Sequence, residues 1–126
     1  MKEIAVALVQ RNKEFLIGQR KSGDCAGLWE FPGGKREIGE TLSECCIREC
    51  LEETGLPIQV ENLYWQTIYQ YPSEEVSLSF FKVTVSSKDM EKVKKDWIWV
   101  PREKLKCYAF CPANEPLLQQ LQNEKA

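Results

Sequence analysis

The hydrophobic positions fall into short runs of different period, and the periods predict the elements. Residues 4–10 are apolar and partly β-branched, as in a central strand. Arg11-Asn12-Lys13-Glu14 reads as the turn after it, and residues 15–20 as the hairpin partner. Residues 21–27 are polar with two glycines, which predicts a flexible loop. Trp29-Glu30-Phe31 is a short strand running into Pro32-Gly33-Gly34, where glycine can take a positive φ and let backbone approach a ligand.

The period then lengthens. Thr41 followed by Glu44 has the form of a capping box, so a helix should begin near Leu42 and stop at Gly55, ahead of Pro57. Residues 58–71 and 76–86 have strand character and join through Pro72-Ser73-Glu74-Glu75. Phe80 and Phe81, adjacent in the second of these, must face opposite sides. Residues 87–96 are charged and read as a loop or frayed helix, and residues 97–100 as a further short strand. Between 114 and 123, Leu117, Leu118 and Leu121 mark an amphipathic helix. Strands around one helix with a second at the end predict an α/β fold, and 126 residues suit one domain spanning 1–126.

Charge and composition narrow the function. A net charge of -2 argues against duplex nucleic acid as a stable partner, because backbone binding needs a basic surface. Small phosphorylated ligands stay open. No apolar run is long enough for a membrane span, and Met1-Lys2-Glu3 leads straight into a strand, so a cytoplasmic protein without membrane contact is expected. There is no histidine, which removes imidazole bases and histidine-ligated zinc. The six cysteines include an adjacent helical pair and no C-x-x-C knuckles. Free, buried or half-buried thiols are therefore expected, rather than a disulfide framework or a zinc site.

The carboxylates are concentrated in Arg48-Glu49-Cys50-Leu51-Glu52-Glu53. Residues three and four apart share a helix face, so Glu49, Glu52 and Glu53 would repel one another on an isolated helix. At about 100° per residue, Glu53 falls between Leu42 and Cys46 and Glu49 beside Leu42, at the edge of the apolar sector. Half-buried carboxylates need a partner, and a hard divalent cation such as magnesium is one.

With Gly34, Glu40, Gly55 and Leu56 at their spacings, this run resembles the Nudix box, with Cys50 where that family usually has a larger aliphatic residue. The resemblance implies an α/β/α sandwich around a mixed sheet, and hydrolysis of a pyrophosphate bond in a nucleoside diphosphate linked to another group. It implies magnesium as cofactor, or manganese in its place. Glu49, Glu53 and the Gly33 carbonyl match the metal ligands. Glu52 matches a carboxylate serving as metal ligand, bridge or base, while Arg48 would orient carboxylates and Lys35 meet a phosphate. Glu91 is a candidate base outside the box, set against a solvated charge among lysines.

Leu28 to Lys35, Gly39-Glu40-Thr41 and Pro112-Ala113-Asn114-Glu115-Pro116 resemble the MutT-like branch, which acts on oxidised guanine nucleotides. That implies a nucleoside triphosphate, with 8-oxo-dGTP first, split into monophosphate and pyrophosphate. Asn114 matches the base-reading amide, or serves as the N-cap of the last helix. Phe31 and Tyr71 match aromatics near the base, and Arg20 a contact to base or phosphate. Alternatives are CTP or methylated dCTP, dinucleoside polyphosphates, ADP-ribose, and a non-catalytic nucleotide-binding regulator. Monomer and homodimer are both open.

Overall fold

The computed structural model describes residues 1–124. Strand β1 (Lys2–Arg11) is the hub of a mixed sheet. It runs parallel to β6 (Glu75–Thr84) from Lys2 to Val9, and β5 (Gln59–Gln70) lies antiparallel outside β6. Along its other edge, Ile4 to Val6 pair with β4 (Gly33–Lys35), and Gln10 and Arg11 turn into β2 (Glu14–Gln19). Strand β2 in turn pairs with β3 (Trp29–Glu30) and β7 (Ile98–Pro101).

Alternation along β1 builds a core on each face. Ala5, Ala7 and Val9 join Leu16, Phe81 and the cysteines of α1 (Leu42–Thr54). Val6 and Leu8 join Phe15, Phe31, Phe80 and the leucines of α2 (Glu115–Asn123). The phenylalanine pair divides between the two cores as the strand period requires. The result is one helix on each side of a mixed sheet.

Four expectations change. Pro32-Gly33-Gly34 is not an open turn: both glycines lie in β4, and neither has a positive φ. They are glycine because a Cβ on Gly33 would overlap the Ala5 carbonyl, and one on Gly34 would overlap the Glu49 carboxylate. Residues 87–92 form a 3-10 helix, and two more, Arg102–Cys107 and Pro112–Asn114, escape the periodicity because such turns bury no long stripe.

Cys25 and Cys111, expected as free thiols, are disulfide-bonded across 86 positions. The loop of residues 21–27 brings them together. Gly23, Cys25 and Gly27 take positive φ, folding the loop back towards β3, where Phe110 bridges Trp29. Sequence spacing carries no trace of such a meeting. The loop has fixed ties rather than the looseness expected of it: Ser73 Oγ donates to Asp24 Oδ2 at 2.6 Å and Arg20 Nε to the Asp24 carbonyl at 2.8 Å. Cys45, Cys46, Cys50 and Cys107 are free. No helix among the described residues is long and apolar enough to cross a membrane.

Candidate active site

The start of α1 is set by local chemistry. Thr41 Oγ1 accepts from the Glu44 amide at 3.0 Å, and the Glu44 carboxylate accepts from the Thr41 amide at 2.8 Å. At the other end Gly55, at φ 84, makes a left-handed cap, and its amide donates to the Leu51 carbonyl. The last turn carries no basic residue of its own. Two side chains from the segment before β7 supply the missing donors: Lys94 Nζ to the Glu52 carbonyl at 2.9 Å and Trp97 Nε1 to that of Glu53 at 3.0 Å. A positive group at this end also favours the helix dipole. The turn bearing Glu49, Glu52 and Glu53 is thereby held at both ends.

Arg48 gathers the neighbouring carboxylates. Its guanidinium reaches Glu40 Oε1 at 2.7 Å, Glu40 Oε2 at 3.0 Å, Glu49 at 2.9 Å and Glu52 at 3.2 Å, and also donates to the Lys35 carbonyl. The guanidinium holds the Glu40 carboxyl down at about 2, and Glu40 and Glu49 raise the pKa of Arg48 in return. The Glu49 side chain lies over Gly34, and the Cys45 thiol donates to the Gly34 carbonyl at 3.4 Å. These contacts dock the helix onto β4.

Glu53 stands apart. It accepts one hydrogen bond, from the Gly33 amide at 2.9 Å. Burial, with Glu30 and Glu49 nearby, pushes its carboxyl up to about 7 against the Gly33 hydrogen bond and Arg20. Its acidity thus changes near neutral pH, as acid–base groups in enzymes do.

Two cavities open beside it. The first, about 660 Å³, is polar and is lined by Glu53, Glu30, Arg20, Lys21, Lys94 and Asp96 among others. The second, about 210 Å³, is lined by the apolar Phe31, Tyr71, Val76 and Leu78 together with the polar Asn114, Lys35 and Glu30. Arg20, Glu30 and Gly33 line both, and Arg20 pairs with Glu30 at 2.9 Å. Burial raises the Glu30 carboxyl, with Arg20 opposing the shift. A polar chamber sharing a wall with a half-apolar one can take a ligand with a charged end and a planar end.

Of the residues singled out from the sequence, Arg20, Gly33 and Glu53 line the polar cavity, and Arg20, Phe31, Gly33, Lys35, Tyr71 and Asn114 the half-apolar one. Glu49 lines neither, but packs over Gly34, which lines the second. Glu52 is turned to Arg48 and is 58% exposed, so the three helix glutamates do not converge. Among the described residues, no three Asp, Glu or Cys side chains form a group able to hold a metal. Glu91 is exposed on its 3-10 turn and lines neither cavity. Asn114 makes no side-chain cap; its Nδ2 donates to the Cys111 carbonyl at 3.1 Å, and the residue lines the half-apolar cavity.

Sequence reasoning missed Glu30, Lys94, Asp96 and Trp97. Glu30 carried a signal: it is the one charge between Trp29 and Phe31, in a strand otherwise apolar. The other three sit in a charged stretch whose fold back against the end of α1 is tertiary.

The NUDIX domain model matches residues 1–121. The chain is 31% identical over 122 residues to the 8-oxo-dGTP diphosphatase of Escherichia coli (strain K12), covering 94% of this chain and 95% of that protein. It is 29% identical over 125 residues to the CTP pyrophosphohydrolase of the same organism, covering 94% and 90%. The crystal structure of a MutT protein from Methanosarcina mazei Go1 superposes with a TM-score of 0.84 at 27% identity, covering 98% and 96%.

Proposed function

The chain belongs to the Nudix hydrolase family, and from that premise we propose that it splits nucleoside triphosphates into monophosphate and pyrophosphate, with 8-oxo-dGTP as its preferred substrate. The observation carrying this reading is the pair of cavities that share Arg20, Glu30 and Gly33. The polar one suits a polyphosphate, with Arg20, Lys21 and Lys94 as counter-charge. The half-apolar one suits a base, with Phe31 and Tyr71 as its apolar walls. Similarity to relatives named 8-oxo-dGTP diphosphatase supports the choice of base, as does the Asn114 amide, which can offer donor and acceptor together.

A hard divalent cation fits the donors. Glu53 has a single amide partner and lies close to two like charges, a state that a cation would relieve. Magnesium, or manganese, would be held by Glu53 and the Gly33 carbonyl, with Glu49 and Glu52 joining as they leave Arg48. When bound, such an ion neutralises phosphate oxygens and makes a bound water more acidic. The chain's own residues do the remaining work. Arg48 orients Glu49 and Glu52, the Gly33 amide fixes the Glu53 carboxyl, and Lys35, which lines only the second cavity, stands on the base side of the pair and not among the polar cavity's counter-charges. Glu52 remains the candidate to bridge or to take the water proton from the helix. Asp96, lining the polar cavity, takes the place assigned to Glu91 as the carboxylate outside the box.

A second reading, CTP, has its own observation. Glu30 faces the half-apolar cavity, and a carboxylate accepts from the exocyclic amine of cytosine. A magnesium-dependent hydrolysis panel of 8-oxo-dGTP, dGTP, CTP, dinucleoside polyphosphates and ADP-ribose separates the readings, with monophosphate and pyrophosphate both quantified. The oxidised purine should lead by about tenfold or more in kcat/KM. A lead for CTP moves the assignment to cytidine nucleotides. Tight nucleotide binding with no magnesium-stimulated cleavage would leave a regulator.

A further inference from the structure

The hydrolase reading makes no use of Cys25 and Cys111, yet they meet at the edge of the half-apolar cavity. Cys111 lines that cavity and is 1% exposed. Its sulfur lies 3.2 Å from the Tyr71 hydroxyl, and its carbonyl receives the Asn114 amide at 3.1 Å. Cys25 is half-buried in the loop that follows Arg20. Their bond therefore joins the loop after Arg20 to the turn that fixes Asn114.

We infer that Cys25–Cys111 is a thiol-exchange site, opened by low-molecular-weight thiols, whose state sets how firmly the half-apolar cavity holds a nucleotide. The inference rests on the nucleotide reading above.

The chemistry follows from exposure. Cys25 is half-buried and Cys111 buried, so an incoming thiolate bonds to the Cys25 sulfur and the bond to Cys111 breaks, its electron pair staying on Cys111. The Tyr71 hydroxyl stands ready to donate a hydrogen bond to that leaving thiolate, which then takes a proton from solvent. A second external thiolate attacks the external sulfur of that mixed disulfide, the bond to Cys25 breaks with its electron pair staying on Cys25, and the released Cys25 thiolate is protonated in turn. Two external thiols have become one disulfide, and the protein has gained two electrons and two protons.

The mechanical consequence is local. With the bond open, the loop keeps its side-chain ties from Ser73 and Arg20 to Asp24, from Gln19 to the Gly27 carbonyl and from Lys21 to Asp96, and none of these reaches the turn of Cys111. Cys25, a non-glycine residue at φ 65, is then held in the left-handed region only by the turn bond its carbonyl accepts from the Leu28 amide at 3.0 Å. The wall around Asn114 and Tyr71 loosens, while α1 and its glutamates pack in the other core and keep their places. The effect should fall on KM and spare kcat.

The test poises the protein in a graded series of reduced and oxidised glutathione. Differential alkylation with mass spectrometry reads the pair, and KM and kcat for the best nucleotide are measured at each ratio. The exposed Cys107 gives a constant background, and the buried thiols of α1 stay unlabelled in the folded protein. Reduction should raise KM roughly five- to tenfold, as expected when a preorganised wall is released, with kcat within about twofold. Cys25→Ser should hold the reduced value at every ratio. A pair that never forms or never opens across the series overturns the inference, as does a KM indifferent to a pair that demonstrably changes state. If no nucleotide is hydrolysed in either state, the hydrolase reading has failed. Binding of dGMP, followed by tryptophan fluorescence, then decides the exchange site by the same comparison.

Discussion

Arg20 and Glu30 pair at 2.9 Å in the wall common to both cavities. The pair sits partly out of water, where an ion pair is held more by mutual need than by net gain. A ligand reaching from one chamber to the other would meet this pair on its way. On the proposed reading, base and phosphate recognition would share a hinge of charge, and removing either partner should be felt at both ends of the substrate.

Glu53→Gln should abolish turnover, by about a hundredfold or more, without loss of fold. Its stability should also reveal the buried acid. In the native state the carboxyl titrates at about 7, against 4.5 for a free glutamate. Between those values the folded chain holds a proton that the unfolded chain has released, so wild-type stability is lost as pH rises through this window. In chelator, urea denaturation should find Glu53→Gln more stable than wild type at pH 8, by at most about 3 kcal/mol, and equal to it below pH 4. A difference independent of pH would contradict this.

Gly33→Ala and Gly34→Ala should fail differently. A Cβ on Gly33 meets the backbone of β1, so the sheet must move, at about 2–4 kcal/mol by thermal or chemical denaturation. A Cβ on Gly34 meets the Glu49 carboxylate, which can swing aside. Its melting temperature should change little while kcat falls about tenfold or more. Equal losses of stability would count against this division.

Arg48→Lys keeps the charge and loses the planar fork that spans Glu40, Glu49 and Glu52. Activity should fall at least about tenfold, with a modest drop in melting temperature. Arg48→Lys combined with Glu40→Gln should cost less than the two effects added, since both remove one contact.

Asn114→Ala should narrow the preference for 8-oxo-dGTP over dGTP by about tenfold, with the dGTP rate little changed. Unchanged selectivity would return Asn114 to a packing role through its bond to Cys111.

What was legible in the sequence was local or periodic. Thr41, Glu44 and Gly55 place α1 to the residue because each acts on backbone within a few positions. The wheel put Glu53 at the edge of the apolar sector, and it is half-buried there. The glycine pair reads as a turn in the sequence and is a close-packed strand in the structure, since close approach by the protein's own atoms leaves no mark distinct from a turn. Glu30, Asp96 and the Cys25–Cys111 bond depend on segments brought together by the sheet. Glu52 shows the converse limit: helical spacing predicts a shared face, but Arg48 at hydrogen-bond distance decides where the side chain goes.

Between β1 and α1 the contact is made by some of the smallest apolar side chains available, Ala5 and Ala7 on one side, Cys45, Cys46 and Cys50 on the other. Such a seam is thin, and close packing leaves it little slack. Bulk added at Ala7 or Cys46 cannot be absorbed within the layer and must lift the helix, carrying Glu49 away from Gly34 and Glu53 away from the Gly33 amide. The cysteines of α1 thus act as shims. Their size, more than their sulfur, sets the gap across which the carboxylates face the strand.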